Sequence, residues 1–92
     1  MMRKTADYTD AVYDYILDNS IRVPKYMDEL MKCTEQSKYV MMATVPEQGQ
    51  FLAFLIKSIQ ATRVIEIGVF TGVCTLWMAD AVGPDGVVIG CD

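Results

Sequence analysis

The sequence predicts an α/β chain in which helices precede one β-α-β unit. Three observations lead there. Apolar residues recur at helical spacing through the first half. A β-branched run, Arg63-Val64-Ile65-Glu66-Ile67, follows, and a second, Val87-Val88-Ile89-Gly90-Cys91, comes after an intervening helical stretch. Glycines punctuate the joints between them, as turns between such elements require.

Taken in order, the first helix is expected over residues 8–19, where Tyr8, Val12, Tyr15 and Ile16 share a face. Pro24 suits the first turn of a second helix, with Tyr26, Leu30 and Met31 as its apolar stripe and Cys33 beside it. A loop is expected near residues 36–40. Thr44-Val45-Pro46-Glu47 reads as a capping box, with threonine three residues before glutamate and proline in the first turn. The helix it opens should run to about residue 60. Its broad apolar face of Phe51, Leu52, Leu55, Ile56 and Ile59 suits packing on a sheet.

The run at 63–67 does not simply alternate, which favours a strand buried on both faces. Residues 68–72 form a turn and residues 73–82 a helix with Leu76, Met78, Ala79 and Val82 inward. Gly83-Pro84-Asp85-Gly86 is turn chemistry: proline presets φ and glycine accepts positive φ. The second strand follows, and a strand, helix and strand joined so short give a right-handed crossover with parallel strands.

Composition narrows the function. With 52% hydrophobic and 22% charged residues the chain is globular in type. Its 8 basic and 12 acidic residues give a net charge of −4, so nucleic acid finds no electrostatic footprint. The polar opening is no secretory signal, and no stretch is long and unbroken enough to span a bilayer. Three cysteines without ligand spacing, and no histidine, argue for reduced cytoplasmic thiols rather than a zinc site or disulfide framework.

The candidate chemistry gathers at 64–92. Glu66 lies inside the first strand, Gly68 follows, Gly72 opens the next helix, and Asp92 ends the second strand. Ligands bind at the carboxyl edge of such sheets. Gly68 allows close backbone approach, the helix N-terminus offers N–H groups to a carboxylate, and Asp92 can accept from a ribose diol. A dinucleotide fingerprint would need glycine where Phe70 and Val73 stand. The E-x-G-x-x-x-G actually present suits a nucleoside cofactor with a carboxylate and an amine but no phosphate, as in S-adenosylmethionine. Glu66 could instead be a structural carboxylate with a lysine partner, and Thr44 a simple helix cap. Cys74 could be a small buried hydrophobe.

VIEIGVFTGVCTLWMADAVGPDGVVIGCD resembles the first β-α-β unit of class I O-methyltransferases. It is similar to the caffeoyl-CoA and catechol O-methyltransferase group, in which IEIGxxTGYS and an acidic residue after the second strand recur. Upstream, MMATVPEQGQFLAFLIKSIQATRVIEIG and YILDNSIRVPKYMDELMK are similar to the group's helices. The resemblance implies a Rossmann-like fold of which residues 1–92 are one partial domain: helices over 1–43 and the start of the cofactor-binding α/β unit over 44–92. It implies that Thr44 lines the cofactor site and that Glu66 engages the amino-acid end of S-adenosylmethionine. Gly68 and Val69 would supply backbone contacts, and Phe70 would lie near the sulfonium. Cys74 would stand where a serine reaches the methionine carboxylate, and Asp92 would hold the ribose hydroxyls. The departure is Val73-Cys74 in place of Tyr-Ser, because a thiol is the weaker donor.

The implied activity is methyl transfer to a hydroxyl, phenolic in type, of a small molecule. The implied divalent metal ligands and catalytic base lie beyond the position of Asp92, so catalysis by residues 1–92 alone is not expected. The alternative is a non-catalytic interaction module whose apolar helices and open sheet edge associate with a full-length relative, a second copy in a homodimer, or another partner.

Overall fold

The computed structural model describes residues 7–92. Four helices and two strands follow in the order α1 (Asp10–Ser20), α2 (Lys25–Glu35), a 3-10 turn (Val40–Met42), α3 (Pro46–Ser58), β1 (Arg63–Ile67), α4 (Val73–Val82) and β2 (Val87–Cys91). The strands and α4 fall on the residues that the sequence predicts. Their signals are local: β-branched runs bounded by glycine.

Thr9 starts α1 by accepting from the Val12 amide at 3.3 Å. The helix turns a different face inward than its apolar spacing suggests. Tyr13 is buried, whereas Val12 and Tyr15 are exposed. The reason is polar: Tyr13 and Tyr8 donate to the two carboxylate oxygens of Glu47 at 3.1 and 3.2 Å, and their rings stack at 5.7 Å. Pro24 is the N-cap of α2, one residue earlier than expected. The inward stripe of α2 is Met27, Met31 and Thr34, with Tyr26 and Cys33 exposed. Gln50 clamps the segment between α1 and α2, accepting from the Arg22 amide and donating to the Ser20 carbonyl, both at 2.7 Å.

The capping box expected at Thr44 does not form. Val45 is the N-cap of α3, Pro46 is in its first turn, and no side chain caps the helix. Glu47 is taken by the two tyrosines instead. Nor does α3 rest on the sheet: it packs on α4 through Gly49, Ala53 and Ile56, and Phe51, Phe54 and Ile59 stay exposed. Gly49 decides this contact. A Cβ there would stand 2.3 Å from Trp77 Cδ1, so only glycine leaves room for the indole. The Trp77 ring nitrogen is buried without a hydrogen-bond partner.

Strands β1 and β2 are parallel, with Val64 opposite Val88, Ile65 opposite Ile89 and Glu66 opposite Gly90. Alternation sends Val64 and Glu66 to the face covered by α4, and Ile65, Ile67 and Ile89 to the other. That second face is bare: Ile67 is 88% exposed. Burial on both faces, expected from the sequence, therefore fails among the described residues because only α4 covers the sheet. The core joins both halves of the chain, with Met27 and Met31 from α2 packed with Val45, Ala53, Val73 and Trp77. No helix of the described residues is long and apolar enough to cross a membrane.

Candidate functional site

The turn from β1 into α4 is shaped by three residues at positive φ: Gly68 at 87°, Phe70 at 54° and Gly72 at 97°. Phe70 is the costly one, since a bulky side chain rarely adopts this region, and such strain concentrates where a site requires it. The turn is held from both ends. The Gly68 amide donates to the Cys91 carbonyl at 2.8 Å, continuing the ladder past β1. The Val69 amide donates to Asp92 Oδ1 at 3.3 Å, which fixes the exposed acid beside the turn. Gly90 makes this possible, because a Cβ there would stand 2.8 Å from Val69 Cγ2. No side chain caps the N-terminus of α4, so Gly72 leads directly into its free amide groups.

Thr44, Gly68, Val69, Phe70 and Cys74, five of the seven residues singled out in the sequence, line one hollow of about 30 Å³ together with Met42, Ala43, Thr71 and Val73. That volume is a shelf rather than an enclosure; it cannot surround a nucleoside. Glu66 and Asp92 do not line the hollow. Asp92 joins it through the Val69 amide, and Glu66 lies behind it, 7% exposed, against Cys74. A larger groove of about 330 Å³ lies along α3 and α4, lined by Arg22, Gln50, Lys57, Trp77 and Asp80 among others. It contains none of the seven.

Glu66 is a carboxylate buried without a cation: no lysine or arginine pairs with it among the described residues. Its partner is the Thr75 hydroxyl, which donates to Oε1. Burial pushes the Cys74 thiol up; Thr44 beside it opposes that shift and Glu66 adds to it. Cys74 is thus a thiol, not a thiolate, at neutral pH. The other two cysteines are also free.

Two further hydroxyls of this region are not among the candidate site residues, although Thr71 is a letter of the IEIGxxTGYS pattern. Thr75 is one. The other is Thr71, whose hydroxyl lies 2.9 Å from that of Thr34 on α2. Thr34 gives its only proton to the Leu30 carbonyl, so Thr71 must be the donor. Thr75 lies in the first turn of α4 and Thr71 in the turn before it, and by spacing alone each reads as an ordinary turn or packing residue. Among the described residues no three of His, Cys, Asp and Glu come close enough to hold a metal ion, so these side chains do not fit a metal centre.

Residues 17–92 match the model of a family described as O-methyltransferase. The chain belongs to the O-methyltransferase family. Caffeoyl-CoA O-methyltransferase 2 of Petunia hybrida is 44% identical over 86 residues, which cover 91% of this chain and 36% of that protein. Caffeoyl-CoA O-methyltransferase 1 of Nicotiana tabacum is 43% identical with the same coverage. The chain thus spans about a third of the length of these relatives. Among solved structures, an O-methyltransferase from Bacillus cereus in complex with SAH superposes with a TM-score of 0.77 at 27% identity, over 89% of this chain and 37% of the other. One from Streptomyces achromogenes, in complex with SAM, gives 0.76 at 26% identity, over 87% and 36%. The family therefore carries the Rossmann-like fold that the β1-α4-β2 unit begins.

Proposed function

We propose that β1, α4 and β2 form the cofactor shelf of an S-adenosylmethionine-dependent O-methyltransferase that methylates a phenolic hydroxyl of a small molecule. The observation that carries this reading is Glu66. A buried carboxylate without a cationic partner is costly, and the cost is offset if the missing cation is a ligand. The ammonium group of S-adenosylmethionine supplies that charge. The uncapped N-terminus of α4, with Cys74 in its first turn, receives the ligand carboxylate. Asp92, oriented by the Val69 amide, accepts from the ribose hydroxyls. Gly68 and Val69 contact the ligand through their backbone, Thr44 closes the near side, and Phe70 packs beside the sulfonium. Bound there, the cofactor supplies an electrophilic methyl group for in-line displacement by the acceptor oxygen. In this reading the cofactor-binding α/β unit begins at residue 44, and the N-terminal helices α1 and α2 precede it. Three free cysteines support a reducing, cytoplasmic compartment.

Calorimetry of the chain with S-adenosylmethionine tests this. Saturable binding is expected, at least tenfold weaker in Asp92→Ala. Absence of binding, or equal binding by the variant, contradicts it.

The bare sheet face of Ile65, Ile67 and Ile89 favours a second reading, an interaction module that binds a relative or a second copy of this chain. A stable oligomer that binds no cofactor would be its mark.

A further inference from the structure

Hydroxyl side chains inside these helices usually turn back on their own backbone. Thr34 donates to the Leu30 carbonyl and Ser58 to the Phe54 carbonyl, each four residues earlier and each at 2.7 Å. Thr75, in the first turn of α4, does otherwise. Its hydroxyl leaves the helix and donates to Glu66 Oε1 on β1. The carboxylate meets no lysine or arginine among the described residues, and the hydroxyl of Thr75 is the donor that holds it. A carboxylate on a free rotor presents its oxygens in many directions; one oxygen pinned by a hydroxyl presents the other in one.

We infer that Thr75 is a positioning residue for the cofactor site, fixing Oε1 of Glu66 so that Oε2 is aimed at the amino-acid end of the ligand. Thr75 touches no part of the ligand itself. It acts only through Glu66, and so only on ligands that carry the ammonium group Glu66 addresses. The inference rests on the cofactor reading given above.

The test pairs two ligands that differ in that group. S-adenosylhomocysteine has the amino-acid end; 5′-methylthioadenosine has the same nucleoside without it. Calorimetry is run on the full chain, Thr75→Val and Thr75→Ser. Thr75→Val keeps the shape and removes the donor, and it is expected to weaken S-adenosylhomocysteine roughly tenfold, the scale of one hydrogen bond to a charged group. Its affinity for 5′-methylthioadenosine should stay within about twofold, and Thr75→Ser should restore S-adenosylhomocysteine binding to within about twofold, since each hydrogen-bond loss worth counting exceeds that factor. An equal loss for both ligands, or no rescue by serine, would mean a merely structural role and overturns the inference. Unchanged binding of S-adenosylhomocysteine by Thr75→Val overturns it while leaving the cofactor reading standing. If the unmodified chain binds neither ligand, the cofactor reading falls and the inference falls with it.

Discussion

Among the described residues Glu47 and Glu66 are both held by hydroxyl groups rather than by lysine or arginine, yet their surroundings differ in one respect. At Glu47 each oxygen has its own phenol, Tyr13 on Oε1 and Tyr8 on Oε2, reached across 34 and 39 residues of sequence. The carboxylate is consumed by the fold. It ties α1 to the first turn of α3. At Glu66 the hydroxyl partner is a single one, Thr75 on Oε1, nine residues away. The second acid is more deeply buried and has one hydroxyl partner where the first has two. An acid whose oxygens are all spoken for stabilises the chain; an acid with capacity left over, at the carboxyl edge of a parallel sheet, is poised for a ligand.

The sharpest way to break this comparison is to neutralise the second acid. Glu66→Gln keeps an acceptor for Thr75 and removes the buried charge. Cofactor affinity should fall by roughly 100-fold, while the thermal midpoint holds or rises because no uncompensated charge remains. A large loss of stability with intact binding would put Glu66 in the same structural class as Glu47. The converse change, Tyr13→Phe, strips one donor from Glu47. It should destabilise the chain by about 1–2 kcal/mol, measured by chemical denaturation, and leave cofactor affinity within about twofold, less than one hydrogen bond is worth.

A smaller effect separates the two sites by pH. Burial, then the charge of Glu47 and its hydrogen bond, raise the Tyr13 phenol above its ordinary 10.0. In the folded chain the proton is held more tightly than in the unfolded chain, so the tie contributes in full below pH 10. It is lost as pH climbs beyond that value toward the raised folded one. The thermal midpoint should therefore decline above pH 10, and Tyr13→Phe should flatten the decline. Equal slopes in the two proteins would remove Tyr13 from the account.

Much of this arrangement is legible in the sequence, and the limits of legibility are physical. The bounds of β1, α4 and β2 could be read because β-branched runs and glycine act over a few residues. The inward faces of α1, α2 and α4 could not: in α4 Val73 and Trp77 are buried with Met78, and Ala79, expected inward, is exposed. Tyr8, Val12 and Tyr15 have helical spacing, but Tyr13 is the buried residue because a carboxylate on α3 draws its hydroxyl inward. Thr44 and Glu47 have the letters of a capping box, yet Glu47 has two phenols competing for it and the box never closes. At the site, Glu66, Gly68, Gly72 and Asp92 stood out because an acid in an apolar run and glycines at a strand end are unusual. Thr75 was invisible: a threonine in a first turn has many roles, and only the three-dimensional path of its hydroxyl toward Glu66 selects one. The bare face of Ile65 and Ile67 is likewise not legible, since an apolar strand records what it is suited to pack against and not what covers it among the described residues.

Amide chemical-shift mapping of the chain titrated with S-adenosylhomocysteine tests the central contrast most directly. The account predicts saturable shifts at Gly68, Val69, Phe70, Cys74 and Asp92, with Tyr13 and Glu47 unmoved. Shifts centred on α1 and Glu47, or none at the β1–α4 turn at saturating ligand, would contradict it.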